Sequence, residues 1–153
     1  RDVNFVGGEI LRSAQRGFLR FAPPGSMGVV SADAVGVGHV RAAERGRTGE
    51  RYLLNGENIT HFELLRLIAE TTGAPAPLGI LPRQLLQNLA VVAWRTSSRL
   101  GLSYPALLTQ MDLSTRDMVF DGSKAHQEIG FPQVGARTAV EEAWNWYRRN
   151  GFL

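Results

Sequence analysis

Gly36 and Gly38 stand two residues apart in the run ADAVGVGHVRAA, just after the β-branched pair Val29 and Val30. A Gly-x-Gly between a strand and a helix is how a dinucleotide-binding loop begins. Such a loop needs a third glycine, so that the helix can pack closely on its strand, and free backbone N–H groups facing pyrophosphate. Here Arg41 holds the third position and Asp33 places an acid at the helix start. Both glycines also fall inside the helix rather than before it. Val35, Gly38, His39 and Ala42 follow i, i+3, i+4, i+7, which predicts one helix face whose small residues let a neighbour approach. His39 on that face reads as a satisfied core histidine.

Other catalytic signatures fail in turn. PPGSMG approaches a nucleophile elbow, but Pro24 occupies the place of the first glycine, which leaves Ser26 a loop serine. His39, His61 and His126 are far apart, with no pair at metal-ligand spacing. The absence of cysteine removes disulfides, thiolate metal sites and cysteine nucleophiles, and fits a reducing, cytoplasmic setting. Glu141 and Glu142 adjoin a helix start, where they favour the macrodipole.

The elements that must position any site follow from local signals. A first helix is expected over Val3 to Gln15, stopped at Gly17. A short strand is expected at Val29 and Val30, then a helix capped by Ser31 or Asp33 and ending at Gly46. RYLLNGEN, 51 to 58, reads as a strand entering an Asn-Gly turn. Thr60 to Glu63 is a capping box opening a helix that presents Phe62, Leu65, Ile68 and Ala69 and closes at Gly73. Asn58-Ile59-Thr60 is also a glycosylation triplet, but the capping role accounts for Thr60. A long helix from Pro82 to Gly101 and a shorter one from Pro105 come next. DMVFD, 117 to 121, reads as a strand and Asp121 as the cap of a short helix ending near Gly130. A second capping box, Thr138 to Glu141, is expected to open a last helix carrying Val140, Trp144 and Tyr147.

With 153 residues and 44% hydrophobic content, the chain suits one globular domain. The net charge of +3 comes from sixteen arginines and one lysine spread along the chain, and the densest group, Arg41, Arg45 and Arg47, is interleaved with Glu44 and Glu50. That is a mixed-charge helix face, so no nucleic-acid partner is expected. LAVVAW, 89 to 94, is too short to span a bilayer, and no membrane partner is expected either. A chain opening on RDVNFVGG without Met reads as a piece of something longer.

Residues 28 to 73, followed by MVFDGSKAHQEIGF and AVEEAWNWYRRNG, resemble the C-terminal half of the extended short-chain dehydrogenases/reductases. The nearest likeness is to dihydroflavonol-reductase-like members and the NAD-dependent epimerase/dehydratase proteins. Asp33-Ala34-Val35-Gly36-Val37-Gly38-His39 stands where the family has Asp-Asp-Val-Ala-x-Gly-His, with Ala34 replacing the second Asp. The resemblance implies an α/β chain: the helix-rich C-terminal part of a Rossmann-type fold, with three or four short strands and no complete dinucleotide-binding sheet. It implies a single substrate-binding portion over 1–153, with the cofactor domain absent from this chain.

The family binds NAD(P) through an N-terminal glycine-rich loop and moves protons with a Tyr-x-x-x-Lys pair. Tyr52, Tyr104 and Tyr147 are followed four places on by Gly56, Leu108 and Gly151, so neither device is here. The resemblance therefore implies NAD or NADP in the parent protein and none bound by this chain alone. It makes Phe21, Ser26, Met27, Gly28 and Val29 the candidate substrate-binding residues, although ordinary packing explains each equally well. No catalytic, cofactor or metal residue is expected. Where nucleotide-sugar members carry an Arg-Asp pair, Met27 and Gly28 stand here, which suits a small or hydrophobic carbonyl or hydroxyl substrate better than a diphosphate.

The partners implied are that substrate and the N-terminal Rossmann portion. Two alternatives stay open. One is part of a sugar epimerase/dehydratase. The other is a non-catalytic interaction module that self-associates through an exposed edge at Arg51 to Asn55.

Overall fold

The structure, a computed structural model, describes residues 6–99 and 113–153. Helices α1 (Val6–Gln15), α2 (Ala32–Arg45), α3 (His61–Thr72), α4 (Arg83–Arg99) and α5 (Ala136–Arg149) dominate it. Strands β1 (Phe21–Ala22), β2 (Ser26–Val29), β3 (Glu57–Thr60) and β4 (Gly79–Ile80) are short. They form two separate pairs, β1 parallel to β4 and β2 antiparallel to β3, so the described residues make an α/β arrangement with no extended sheet. The expected shorter helix from Pro105 lies outside the described residues.

Local signals set most element ends. Gly17, at φ +74°, lets α1 stop with Gly17 N–H bonded to Ala14 O at 2.9 Å and Phe18 N–H to Ser13 O at 3.0 Å. The Thr60 box forms: Thr60 N–H donates to Glu63 Oε2 at 2.9 Å and Glu63 N–H to Thr60 Oγ1 at 3.2 Å. The Thr60 backbone N–H first, and then the Thr60 hydroxyl donating to the same Oε2 at 2.8 Å, hold the Glu63 carboxyl below its ordinary range. Ser31 caps α2, and Asp121 Oδ1 accepts the Ser123 N–H ahead of a π-helical turn, Ala125–Ile129.

The main core joins Leu11 and Ala14 of α1 to Leu64, Leu65 and Ile68 of α3 and Val140 of α5, with Met27 and Val29 of β2 against it. A second core joins Ala34 of α2 to Ala125, Ile129 and Phe131. Gly38 is required there: a Cβ would lie 2.8 Å from the Phe131 ring and 2.9 Å from Leu54 Cδ1. The small-residue face of α2 is thus real, but His39 is not on its buried side. It is exposed, with Nδ1 donating to Val35 O at 2.8 Å, because the helix turns Ala34 and Gly38 inward and carries the next residue about 100° round.

Three further expectations about the elements need correction. Residues 51–56 form no strand; they are tied down by side chains instead. Lys124 Nζ donates to Glu50 Oε2 at 2.5 Å and Arg51 O at 3.1 Å, and Tyr52 OH donates to Glu128 Oε2 at 3.0 Å. Residues 117–121 also form no strand beyond one bridge, Ser26 to Asp117. Asn58 explains this, since its amide takes both halves of the Phe120 backbone: Phe120 N–H donates to Oδ1 at 3.1 Å, and Nδ2 donates to Phe120 O at 2.8 Å. Asn55 Nδ2 donates to the same carbonyl and to Asn58 Oδ1, both at 3.1 Å.

The third correction concerns α5. It starts at Ala136, which puts Thr138 inside the helix, and no second capping box forms. Glu57 of β3 caps it from a distance, its Oε2 accepting the Ala136 N–H at 2.8 Å. Glu142 sits two turns in, away from the helix start, and accepts from the Ser31 hydroxyl.

Candidate functional site

Antiparallel pairing fixes which way each β2 side chain points. Ser26 and Gly28 look toward Asp117 and Asn55; Met27 and Val29 look the other way, into the main core. Beside that second face opens a groove of about 750 Å³. Met27, Gly28, Val29 and Val30 form one wall, Ile10 and Leu11 of α1 with Leu64 and Ile68 of α3 another, and Val140, Ala143, Trp146 and Tyr147 of α5 the third.

The sequence of α5 explains its wall. Val140, Ala143 and Tyr147 recur at helical spacing on the inward stripe, and Gly8 lets Tyr147 come close, since a Cβ there would lie 2.8 Å from the ring. Trp146 is half open, stacked on Phe152 with ring centres 5.5 Å apart and edge-on to Tyr147 at 5.2 Å.

One edge of the groove is polar, made of Asp33, Glu142, Asn145 and Arg149. The buried Ser31 hydroxyl donates to Glu142 Oε2 and accepts the Ala34 N–H at 3.4 Å, so one serine both caps α2 and fixes this carboxylate. Arg149 Nε donates to Asn145 O at 3.2 Å. An apolar body with a polar end fits such a lining.

Of the five residues expected from the sequence, Met27, Gly28 and Val29 lie together on the groove. Phe21 and Ser26 do not line it. Phe21 is half exposed on β1, opposite Gly79, and Ser26 is buried with Oγ donating to Asp117 Oδ1 at 3.0 Å. Gly28 has a packing duty as well, for a Cβ there would meet Asn55 Oδ1 at 2.1 Å. Sequence reasoning missed Ala143, Trp146 and the Ser31–Glu142 link. The α5 stripe was legible, but only as core.

The histidines stand apart from the groove. His61 Nδ1 donates to Gly25 O at 2.7 Å and His126 Nδ1 to Phe131 O at 2.5 Å. Among the described residues no group of three or more His, Cys, Asp or Glu is placed to hold a metal ion.

No protein-family model matches the chain. A Synechocystis sp. protein assigned as a dihydroflavonol 4-reductase is 32% identical over 152 residues, spanning 97% of this chain and 44% of its own length. The chain matches the C-terminal part of an extended short-chain dehydrogenase/reductase. Sterol demethylase protein B of Methylococcus capsulatus, 28% identical, spans 98% of this chain, which covers 46% of that protein. The crystal structure of a nucleoside-diphosphate-sugar epimerase from Pseudomonas aeruginosa superposes with a TM-score of 0.72 at 30% identity, over 95% of this portion and 43% of that chain. The portion thus spans less than half the length of each of these relatives. Its helix-rich fold with few short strands matches that part of the Pseudomonas aeruginosa structure.

Proposed function

We propose that residues 1–153 are the substrate-binding portion of an NAD(P)-dependent oxidoreductase acting on a small or hydrophobic carbonyl or hydroxyl compound. The observation that carries this is the groove, walled by Met27, Val29, Leu64, Ile68, Val140 and Trp146, where apolar contact area supplies affinity. The substrates named by two relatives, a dihydroflavonol and a sterol, are of that apolar kind. NAD or NADP is held by the Rossmann portion of the parent protein, which also carries the proton-transfer residues. This chain alone is inactive and works in the cytoplasm.

The sugar epimerase reading has one observation in its favour besides the Pseudomonas aeruginosa relative: Arg149 stands at the groove edge, where a guanidinium suits a diphosphate. Asp33 and Glu142 on the same edge oppose it, because two carboxylates repel an anionic group.

Thermal unfolding of the chain with a dihydroflavonol, with UDP-glucose and with NADPH separates these readings. The expected result is a raised melting temperature with the dihydroflavonol alone. Stabilisation by UDP-glucose instead gives the groove to a sugar nucleotide, and tight NADPH binding refutes the placement of the cofactor site outside this chain.

A further inference from the structure

Helix α5 turns a second stripe to the groove, and this one is mixed. Glu142, Asn145, Trp146 and Arg149 follow i, i+3, i+4, i+7, and all four line the groove. The Glu142 carboxylate therefore stands one turn from the Trp146 indole on the same face of the helix. An aromatic surface and a hydrogen-bond acceptor are offered side by side.

Glu142 is held there from another element. Ser31 is 3% exposed, and its hydroxyl has a single hydrogen, which goes to Glu142 Oε2, while Oγ accepts the Ala34 N–H at 3.4 Å. With donor and acceptor both engaged, the serine fixes the carboxylate without needing a further partner. A carboxylate offers about four lone-pair positions, so one bond leaves most of its accepting capacity open. Among the described residues, Glu142 Oε1 accepts from no group. The guanidinium on the same edge is partly engaged, Arg149 Nε donating to Asn145 O at 3.2 Å, and it faces two carboxylates, Asp33 and Glu142. The fixed polar group of this edge is thus an acceptor with negative charge.

We infer that Glu142 is a specificity-determining residue of the groove: its free oxygen accepts a hydrogen bond from a hydroxyl on a ligand whose apolar body lies along Met27, Ile68, Val140 and Trp146. Ser31 is the residue that positions it. The inference rests on the groove being the substrate site, and it narrows the compounds that fit there to neutral, apolar bodies with a hydroxyl donor at one end. The same body without the donor displaces water from the carboxylate and does not replace its hydrogen bond. An anion at that end is repelled.

Equilibrium dialysis of the chain against estrone, estrone 3-methyl ether and estrone 3-sulfate tests this, because one apolar body ends in turn in a phenol, an ether and an anion. Estrone is expected to bind about five- to tenfold more tightly than the ether, the low end for a charged acceptor because Glu142 is exposed. The sulfate is expected to bind most weakly. Glu142→Gln keeps the side-chain length and an oxygen for Ser31 but turns an NH₂ donor to the ligand, so estrone should lose its advantage over the ether and the sulfate should bind more strongly. Ser31→Ala should reduce the estrone-to-ether ratio in the same direction. If Glu142→Gln instead changes all three affinities by one common factor, its role is structural and the inference is overturned. Equal binding of estrone and ether to the unaltered chain overturns it too, while leaving the groove as a site for apolar compounds. Binding of neither overturns both the inference and the reading on which it rests.

Discussion

Replacing each glycine of the Gly36-Val37-Gly38 run with alanine tests whether it is a helix face or a phosphate loop. In a helix interior, glycine is about 1 kcal/mol worse than alanine, so both substitutions gain that much from the backbone. The surroundings then separate them. A Cβ at Gly36 meets nothing within 4 Å, whereas one at Gly38 lies 2.8 Å from the Phe131 ring and 2.9 Å from Leu54 Cδ1. Phe131 is buried to 3% exposure and has no room to retreat. Overpacking of this kind costs roughly 1–3 kcal/mol. Gly36→Ala should therefore stabilise the chain by up to about 1 kcal/mol, and Gly38→Ala should leave it between neutral and about 2 kcal/mol less stable. The backbone gain cancels in the comparison, leaving the overpacking cost of about 1–3 kcal/mol as the difference between the two variants. Urea denaturation followed by circular dichroism measures that difference directly. Two alanine variants of equal stability would refute the packing of Phe131 on α2, and with it the reading of Gly38 as the residue that admits the ring.

Ser31→Ala removes both the cap of α2 and the donor to Glu142, and urea titration should show a loss of about 1–2 kcal/mol; no loss would mean that neither bond matters. The Glu63 carboxyl is held below its ordinary range by Thr60, so its contribution is complete above the ordinary carboxylate pKa and lost as pH falls through the lowered one. Glu63→Gln, which removes the titrating group, should therefore narrow the drop in melting temperature between neutral pH and acid, and an unchanged drop contradicts it. Trp146→Ala should weaken dihydroflavonol binding by about three- to tenfold through lost ring contact, read by calorimetric titration. Retained affinity would place the ligand elsewhere.

Whatever is decided within a turn or two of chain was legible in the sequence. The stop at Gly17, the Thr60 to Glu63 box and the left-handed Gly73 and Gly130 each depend on residues a few positions apart, and each forms. The failures lie where a distant group takes over. Glu57 caps α5 from 79 residues away, so the local Thr138 signal goes unused. The 117–121 run has strand composition, but Asn58 occupies the Phe120 backbone that a neighbouring strand would have used. Val29 and Tyr147 could each be read as apolar, yet the groove exists only once α1, β2 and α5 surround it. No pattern within one element encodes that.

The asparagine pair beneath Gly28 also gives the chain a chemical clock. Asn55 is followed by Gly56, the neighbour that least hinders backbone nitrogen from attacking a side-chain amide to form a succinimide. While folded, Asn55 is buried, and a Cβ at Gly56 would touch Val29 O at 2.4 Å, so the backbone there has little freedom to reach the attacking geometry. Each excursion to the unfolded state removes that protection. Ring closure expels the side-chain NH₂ as ammonia, and water opening the ring puts a carboxylate oxygen in its place, which on refolding faces Phe120 O and Asn58 Oδ1, two acceptors where it needs donors. The damage would spread from residue 55 to a segment 65 positions along the chain, and samples kept longer near their melting point would lose their order there first.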